Sequence, residues 1–467
     1  MIQTRTVPQF FSYAFFLISQ ALFLALLNRV EINVANILYL VPPFLFFVMS
    51  VWISLWTKDL KIAFLSLIGW FCIGFLQFAM QSGLVEENVS LLKWTILFSV
   101  VALGPPILIF HRQKRFNHHP GFVTHLLQIF ILYLFITCCF SAYPMVSLIR
   151  SLGFLAIVFF AFYFLPRQMK ADKVMDTFVA CVWWMSQAMV VINLLAWLGL
   201  VPAETLFRDR FQGIFDNPNG LGPWLNLSVM TSLAMASRRG AVFKCAAALS
   251  ILVSLFLLFY CNSRANYLGL VIGVFVFLLF SRKKWVWVTF IALALIFTAF
   301  YQSYYAHPII ELDWTEHLRL ESRYGPTTGR IDKWIASLEA VKENPWHGTG
   351  LGAQEAVADQ YSASLAEQGI ERLLFDNSYL NFLYETGYAG LALFLLWLFS
   401  SLVVVAKNCF LKQDPAHQFY SRFTIAVTLN LCTVAFFESF FGTVGNIVSL
   451  VFWVLLGLGT TRPALTE

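Results

Sequence analysis

The sequence has few charged residues for its length of 467 residues. Asp, Glu, Lys and Arg make up 12% of the chain, whereas soluble globular domains carry about a quarter. Hydrophobic residues make up 59%. This balance excludes an ordinary soluble protein and predicts one that crosses the membrane many times. The net charge of +6 is modest and comes without a clustered basic face, so the sequence gives no support for nucleic-acid binding.

Cysteine is missing where a disulfide would be expected to form. The eight cysteines fall within or at the ends of apolar runs, except Cys409, which lies on the predicted cytoplasmic side. The long polar stretch 302–386 contains none. The paired Cys and His spacing typical of a zinc site is also absent from the sequence. We therefore expect no disulfide framework, no metal site and no cofactor.

Long apolar runs are what the sequence has in abundance. A membrane-spanning helix needs about 20 mostly apolar residues, because lipid offers no partner for backbone polar groups. Fourteen runs meet this description, so we predict an all-α polytopic membrane protein with about 14 transmembrane helices. These runs are 9–27, 34–56, 61–81, 91–110, 121–142, 145–165, 177–199, 220–237, 245–261, 266–281, 285–301, 387–406, 419–437 and 443–460.

The positions of the basic residues predict the orientation of these spans, because Lys and Arg beside spans stay in the cytoplasm. With fourteen spans, most Lys and Arg residues fall on one side, including the clusters Arg112-Lys114-Arg115 and Arg282-Lys283-Lys284. Both termini are then cytoplasmic. We expect three parts: a bundle of eleven spans in 1–301, a periplasmic loop in 302–386, and three more spans in 387–467.

The periplasmic loop carries its own sequence signals and is expected to act as a lid over the active site. Gly329-Arg330 precedes an amphipathic segment with Trp334, a Gly-rich turn runs from Pro345 to Gly352, and Asp376-Asn377 stands just before the next apolar run. Trp334 could stack on a sugar ring, although aromatic residues also collect at membrane interfaces. His347, in the turn, could contact phosphate or simply pack.

Few other basic residues lie on the predicted outer side. Arg210 sits in a turn that leads to Asn217-Pro218-Asn219, and Arg264 lies in a polar island between two apolar runs. A guanidinium beside a helix end offers a fixed fork of donors for phosphate oxygens. The alternative is that each arginine anchors its helix at the lipid headgroups. Their common depth favours a shared anionic ligand, and Arg150 could join them or extend to the interface.

Taken in order, these signatures resemble those of the O-antigen ligase and polymerase superfamily. They are Arg210-x-x-Gly213, Asn217-Pro218-Asn219, Ser263-Arg264, Thr328-Gly329-Arg330 with Trp334, Pro345 to Gly352, Asp376-Asn377 and Gly387-x-x-Gly390. The resemblance covers about residues 205 to 406. Members of the superfamily are bacterial inner-membrane glycosyltransferases of the C type, with many spans and one large periplasmic loop, so the resemblance implies a GT-C-like fold.

The resemblance also implies an activity, which is the metal-independent transfer of a glycan from undecaprenyl diphosphate to a sugar hydroxyl at the periplasmic face. The partners implied are the undecaprenyl-diphosphate-linked oligosaccharide, the lipid bilayer and a chain-length regulator. Departure of the diphosphate builds negative charge, which Arg210 and Arg264 would stabilise, with Arg330 as a third. Asp376 would accept the proton of the attacking hydroxyl. The remaining candidate binding residues are Arg150, Asn377, Trp334 and His347.

The identity of one residue separates two activities within this superfamily. Ligases carry His followed by Asn, Ser or Gln, then nine residues, then Gly-x-x-Gly. This chain keeps Asn377, the spacing and both glycines, but has Asp376 in place of the histidine. Together with the large number of spans, this favours a polymerase of O-antigen or exopolysaccharide repeat units over a ligase that transfers glycan to lipid A core. Asp376 also fits a helix N-cap, so its role as base stays open.

A polysaccharide transporter or flippase is the remaining alternative, because many spans with few charges would suit one as well. Transporters, however, place ionisable or helix-breaking residues near the membrane midplane, at the interface of repeated halves. In this sequence the charge gathers at the outer surface and no internal repeat is visible. A glycosyltransferase is therefore the favoured function.

Overall fold

The computed structural model describes residues 121–168, 171–201, 205–207, 210–215, 217–280, 330–354, 376–410, 415–443 and 446–461, and positions 61, 64, 65 and 68. Helices account for most of them. The elements are α1 (Phe122–Cys138), α2 (Pro144–Val158), a π-helix (Phe159–Phe164), α3 (Leu165–Gln168), α4 (Ala171–Trp197), β1 (Leu206–Phe207), β2 (Arg210–Phe211), α5 (Pro218–Arg238), α6 (Ala241–Cys261), α7 (Arg264–Leu279), α8 (Arg330–Val341), α9 (Ser378–Phe410), α10 (Pro415–Val434) and α11 (Ile447–Gly459).

Each predicted span that falls within the described residues forms a helix. The runs 9–27, 34–56, 91–110 and 285–301 lie outside those residues, and the run 61–81 is described at four positions. Four helical stretches are long and apolar enough to cross a membrane, and α1, α7 and α11 are apolar but shorter. The four are Pro144–Arg167, Lys173–Trp197, Ala241–Cys261 and Ser378–Phe410. The described part of the chain is therefore that of a helical, multi-pass membrane protein.

Two helices, α5 and α10, lie in the interior of the bundle and carry polar side chains there. Asn226 on α5 donates from Nδ2 to the Asn266 carbonyl of α7 at 3.0 Å, and the same nitrogen lies 3.4 Å from Asn430 Oδ1 on α10. All three asparagines are buried. Because the interior of a membrane bundle offers little water, such hydrogen bonds hold helices together.

Glycines bring α7 very close to α10. A Cβ added at Gly269 would lie 3.0 Å from the Asn430 carbonyl oxygen, and one added at Gly273 would lie 2.9 Å from Asn430 Cβ. Helices in lipid associate largely through such small residues, which let their backbones approach each other. This contact fixes the start of α7, where Arg264 lies, relative to the end of α10.

The bundle has two polar ends. At one end, Arg239 Nη2 after α5 pairs with Asp176 Oδ2 on α4 at 2.8 Å, and the Tyr420 hydroxyl on α10 donates to Asp176. The guanidinium of Arg238 lies 4.8 Å from the centre of the Tyr420 ring. The residues predicted to form the active site lie at the opposite end, where α5 and α7 begin and where α6 and α10 finish. We call this opposite end the site end.

Helix α9 is broken within its first third. Gly387 has φ 67° and ψ −176°, which is not helical, and the helix continues on both sides of it. The apolar run predicted to start at residue 387 therefore begins at the break, and the helix itself starts earlier, at Ser378. A break frees backbone groups that must find other partners when they are buried.

Candidate active site

Arg210 lies on β2 and is held by two groups from helix ends. Its Nε donates to the carbonyl oxygen of Cys261, the last residue of α6, at 3.0 Å. Its Nη2 donates to Asn219 Oδ1 in the first turn of α5 at 2.8 Å. The short pairing of β2 with β1, in which Phe207 faces Arg210, supports the strand that presents this side chain. The guanidinium therefore has a fixed orientation.

The segment that carries Arg264 contacts the same residue, Asn219. Asn219 Oδ1 also accepts a hydrogen bond from Ser263 Oγ at 3.3 Å, and Ser263 is the residue before Arg264. Asn262 adopts the left-handed conformation, with φ 47° and ψ 48°, and this turns the chain sharply from α6 into α7. The structure thus brings together the segments that carry the two arginines, with Asn219 between them.

A third arginine reaches this end from the loop helix α8. Arg330 Nη2 pairs with Glu438 Oε1 at 3.0 Å, and both side chains are about four-fifths buried, at 20% and 22% exposure. The Arg330 guanidinium also lies 5.7 Å from the centre of the Phe437 ring. Trp334, one turn further along α8, packs at 6.2 Å on the same ring. Its buried indole N–H has no hydrogen-bond partner among the described residues.

The start of α9 docks on the segment that carries Glu438. Ser378 Oγ donates to the Glu438 carbonyl at 2.7 Å, and the Asn377 backbone N–H donates to Ser439 Oγ at 3.2 Å. Asp376 directly precedes this contact and has a positive φ of 36°. Non-glycine residues in this conformation are often found at functional sites. Asp376 and Arg330 therefore both lie next to the turn that carries Glu438 and Ser439.

The helix cap falls on Asn377. Its Oδ1 accepts hydrogen bonds from the backbone N–H groups of Tyr379 at 2.9 Å and Leu380 at 3.1 Å, as an N-cap side chain does. The cap that we considered for Asp376 thus belongs to the next residue. The role of Asp376 as a base remains a prediction, as does ligand binding by Asn377, whose side-chain oxygen is engaged in the cap.

Arg210 and the Arg330–Glu438 pair both lie near the end of α6. Both Arg210 and Glu438 lie within electrostatic range of the Cys261 side chain. Arg210, Arg264, Arg330 and Asp376 are therefore contributed by different elements to one end of the bundle. Guanidinium groups are suited to binding an anion, and a carboxylate can accept a proton.

The Gly-rich turn packs against the break in α9 and forms backbone hydrogen bonds on both sides of it. The backbone N–H groups of Thr349 and Gly350 donate to the carbonyl oxygens of Tyr384 and Glu385, at 3.0 and 2.8 Å. In the other direction, Tyr388 N donates to the Pro345 carbonyl at 2.7 Å. Three backbone groups beside the break are thus satisfied by the turn.

Arg150 and His347 both lie against this turn. A Cβ on Gly352 would lie 2.5 Å from Arg150 Cγ, so the arginine side chain runs directly along the turn. His347 hydrogen-bonds through Nδ1 to the Gly348 carbonyl at 2.8 Å, and its ring packs 5.3 Å from that of Phe140. These contacts agree with packing as the role of His347.

Three residues of the site end did not enter the predicted site. Asn219 orients Arg210, Glu438 pairs with Arg330, and buried Glu385 binds the Gly-rich turn. Glu438 stands out in the sequence as an ionisable group amid aromatic residues, although an acid in an interfacial turn is the commoner case, and Glu385 is likewise an acid in an otherwise apolar segment. Within the described part of the chain, no three His, Cys, Asp or Glu side chains cluster so as to hold a metal ion.

The apolar helices and the polar site end define a multi-pass membrane protein. Residues 249–395 match the family model described as O-antigen ligase. This segment includes Arg264, Arg330, Trp334, His347 and Asp376, and it ends within α9. The match confirms the resemblance to the O-antigen ligase and polymerase superfamily, and it supports a glycosyl-transferring enzyme. No curated protein matched the chain.

Proposed function

We propose that this protein is an inner-membrane glycosyltransferase that takes a glycan from undecaprenyl diphosphate and joins it to a sugar hydroxyl in the periplasm. The observation that supports the proposal is that the elements carrying Arg210, Arg264, Arg330 and Asp376 lie at one end of a membrane bundle. The O-antigen ligase match over residues 249–395 supports the same activity.

The arginines are proposed to stabilise the leaving group. When the bond between the anomeric carbon and the diphosphate oxygen breaks, negative charge builds on the phosphate oxygens. Arg210 is already oriented by Cys261 and Asn219, so little reorganisation is needed when the charge develops. Arg264 lies in the segment that also contacts Asn219, and both guanidinium groups are proposed to act on one diphosphate. In this proposal arginines supply the charge stabilisation for which other transferases use a metal.

Asp376 is proposed to accept the proton of the attacking hydroxyl as the new glycosidic bond forms. Since Asn377 caps α9, the Asp376 side chain is not needed to start that helix. Its position one residue before the docked segment keeps it close to the turn that carries Glu438. A carboxylate can act as a general base as well as an imidazole can.

We favour a polymerase of O-antigen or exopolysaccharide repeat units. The supporting observation is Asp376 at the position where ligases of the superfamily carry histidine. The alternative is a ligase that transfers the glycan to lipid A core, which the match to the family described as O-antigen ligase supports. The two activities differ in the acceptor, so they can be separated by choosing the acceptor.

The test uses purified protein in detergent with undecaprenyl-diphosphate-linked repeat units, extracted from the source strain after deletion of this protein. We expect wild type to produce a ladder of longer lipid-linked glycans without added lipid A core. Arg210→Ala, Arg264→Ala and Asp376→Asn should each lower the rate about a hundredfold or more. Lys342→Ala and Glu343→Gln, exposed changes on the same loop, serve as controls and should leave the rate unchanged.

Two results would contradict parts of this proposal. Transfer that appears only after lipid A core is added would replace the polymerase with the ligase. Full activity of Asp376→Asn would remove Asp376 as the base, and full activity of both arginine variants would remove the proposed charge stabilisation. If neither acceptor is used by wild type, the glycosyltransferase itself is wrong.

A further inference from the structure

Glu385 is a carboxylate inside the bundle for which the proposed chemistry has no role. It lies on α9 two residues before the break at Gly387 and is 4% exposed. About 10 Å of helix separates Ser378 from Glu385, by the rise of 1.5 Å per residue. Glu385 is therefore too far along the helix to act as a base beside Asp376.

Both the backbone and the side chain of Glu385 hold the Gly-rich turn. Its carbonyl oxygen accepts the backbone N–H of Gly350 at 2.8 Å, and its Oε1 accepts the backbone N–H of Gly352 at 2.9 Å. A carboxylate forms a stronger hydrogen bond with a backbone N–H than a neutral acceptor does. The side chain thus adds a second attachment of the turn, two residues beyond the first.

Gly352 carries this attachment to Arg150. Measured from the position that a Cβ on Gly352 would occupy, Arg150 Cγ is 2.5 Å away and Cδ and Nε are 3.3 Å away. The aliphatic part of Arg150 and its first nitrogen therefore lie along the backbone that Glu385 fixes. Gly352 has φ 82°, a conformation that glycine adopts readily, so the turn can pass this closely without a side chain.

We infer that Glu385 is a positioning residue: it fixes the Gly-rich turn against the break in α9 and so holds Arg150 in place as a binding residue for the lipid-linked donor. The inference rests on the proposed function, because the donor is the proposed substrate. Without the carboxylate, Gly352 loses its acceptor and Arg150 loses the rigid surface along which it lies.

The first test is kinetic, with the lipid-linked repeat unit as the varied substrate. Arg150→Ala and Glu385→Ala should each raise KM for the donor about tenfold while changing kcat much less, and the double variant should be no worse than the poorer single variant. Glu385→Gln keeps an oxygen acceptor for Gly352 and should restore most of the affinity. Glu343→Gln, an exposed acid at the same end, is the control.

The second test needs no activity. Hydrogen–deuterium exchange of the peptide that covers Gly350 and Gly352 should be roughly tenfold faster in Glu385→Ala than in wild type. Glu385→Gln and Arg150→Ala should keep the slow exchange. If wild type transfers no glycan but this pattern is found, the proposed function fails while the positioning of the turn by Glu385 stands.

Several outcomes would overturn the inference. Unchanged exchange in a folded Glu385→Ala protein would show that the carboxylate does not hold the turn. If the increases in donor KM caused by the two single changes multiply in the double variant, Glu385 does not act through Arg150. If Glu385→Ala does not fold, Gly352→Ala replaces it, because its Cβ would displace Arg150 while Glu385 is kept. An unchanged donor KM in Gly352→Ala would then reject the inference.

Discussion

At the scale of single residues, the candidate active site is built from side chains whose neighbours fix them before any substrate binds. Arg210 is oriented by a helix-end carbonyl and by Asn219, and Asn377 closes the start of α9. Charged groups that are oriented in advance lose less entropy and reorganise less when a charged ligand arrives. This is the physical reason why the hydrogen-bond partners of the arginines are as important as the arginines.

The ion pair between Arg330 and Glu438 gives a prediction about stability. Both groups are about four-fifths buried, so removing one takes a close opposite charge away from a group that is largely withdrawn from water. We expect Arg330→Gln and Glu438→Gln each to destabilise the protein by about 1–3 kcal/mol. The double variant Arg330→Gln/Glu438→Gln should lose less than the sum of the two, because the same ion pair is broken in both single variants and its loss is counted only once.

The measurement is the midpoint of unfolding in detergent, followed by tryptophan fluorescence for the two single variants, the double variant and wild type. Lys342→Gln breaks an exposed pair with Glu339 on the same helix and should change the midpoint little. Additive losses in the double variant would mean that the two residues stabilise the fold independently and that the pair does not fasten α8 to the bundle.

At the scale of elements, the break in α9 and the Gly-rich turn form one unit. Gly387 has a positive φ, and a Cβ there would lie 2.6 Å from His347 N. Gly387→Ala should therefore strain the backbone and push the turn away, at a cost of about 1–3 kcal/mol for the conformation alone. We expect a lower unfolding midpoint together with faster hydrogen exchange in residues 345–352.

A glycine without these constraints is the control for this prediction. Gly240, at the start of α6, has an extended backbone, with φ −69°, and among the described residues no atom beyond its chain neighbours lies within 4 Å of its added Cβ. Gly240→Ala should leave both readings unchanged. If Gly387→Ala and Gly240→Ala give the same unfolding midpoint and the same hydrogen exchange, the turn is not held by close contact with the break.

At the scale of the whole molecule, the apolar runs predicted the described helices because burial in lipid forces each run to satisfy its own backbone. The predicted orientation of the spans also placed Arg210 and Arg264 together at the outer side of the membrane. The break at Gly387 and the contact of Glu385 with the Gly-rich turn could not be predicted, since both depend on a turn that comes from another part of the chain. The cap was ambiguous for a smaller reason: a shift of one residue moves it from Asp376 to Asn377.

The orientation of the whole bundle is the last prediction, and the proposed activity depends on it. Positive residues flanking spans place Lys407 in the cytoplasm and the loop helix α8 with Lys342 in the periplasm. Both lysines are exposed. In a variant without its native cysteines, Lys342→Cys should react with a membrane-impermeant maleimide added to spheroplasts, in which the periplasmic face is accessible, whereas Lys407→Cys should react only after the membrane is opened. Gly240→Cys, at the same end as Arg239, should behave like Lys407→Cys. The reverse pattern would put Arg210, Arg264 and Asp376 on the cytoplasmic side, where a donor displayed in the periplasm could not reach them.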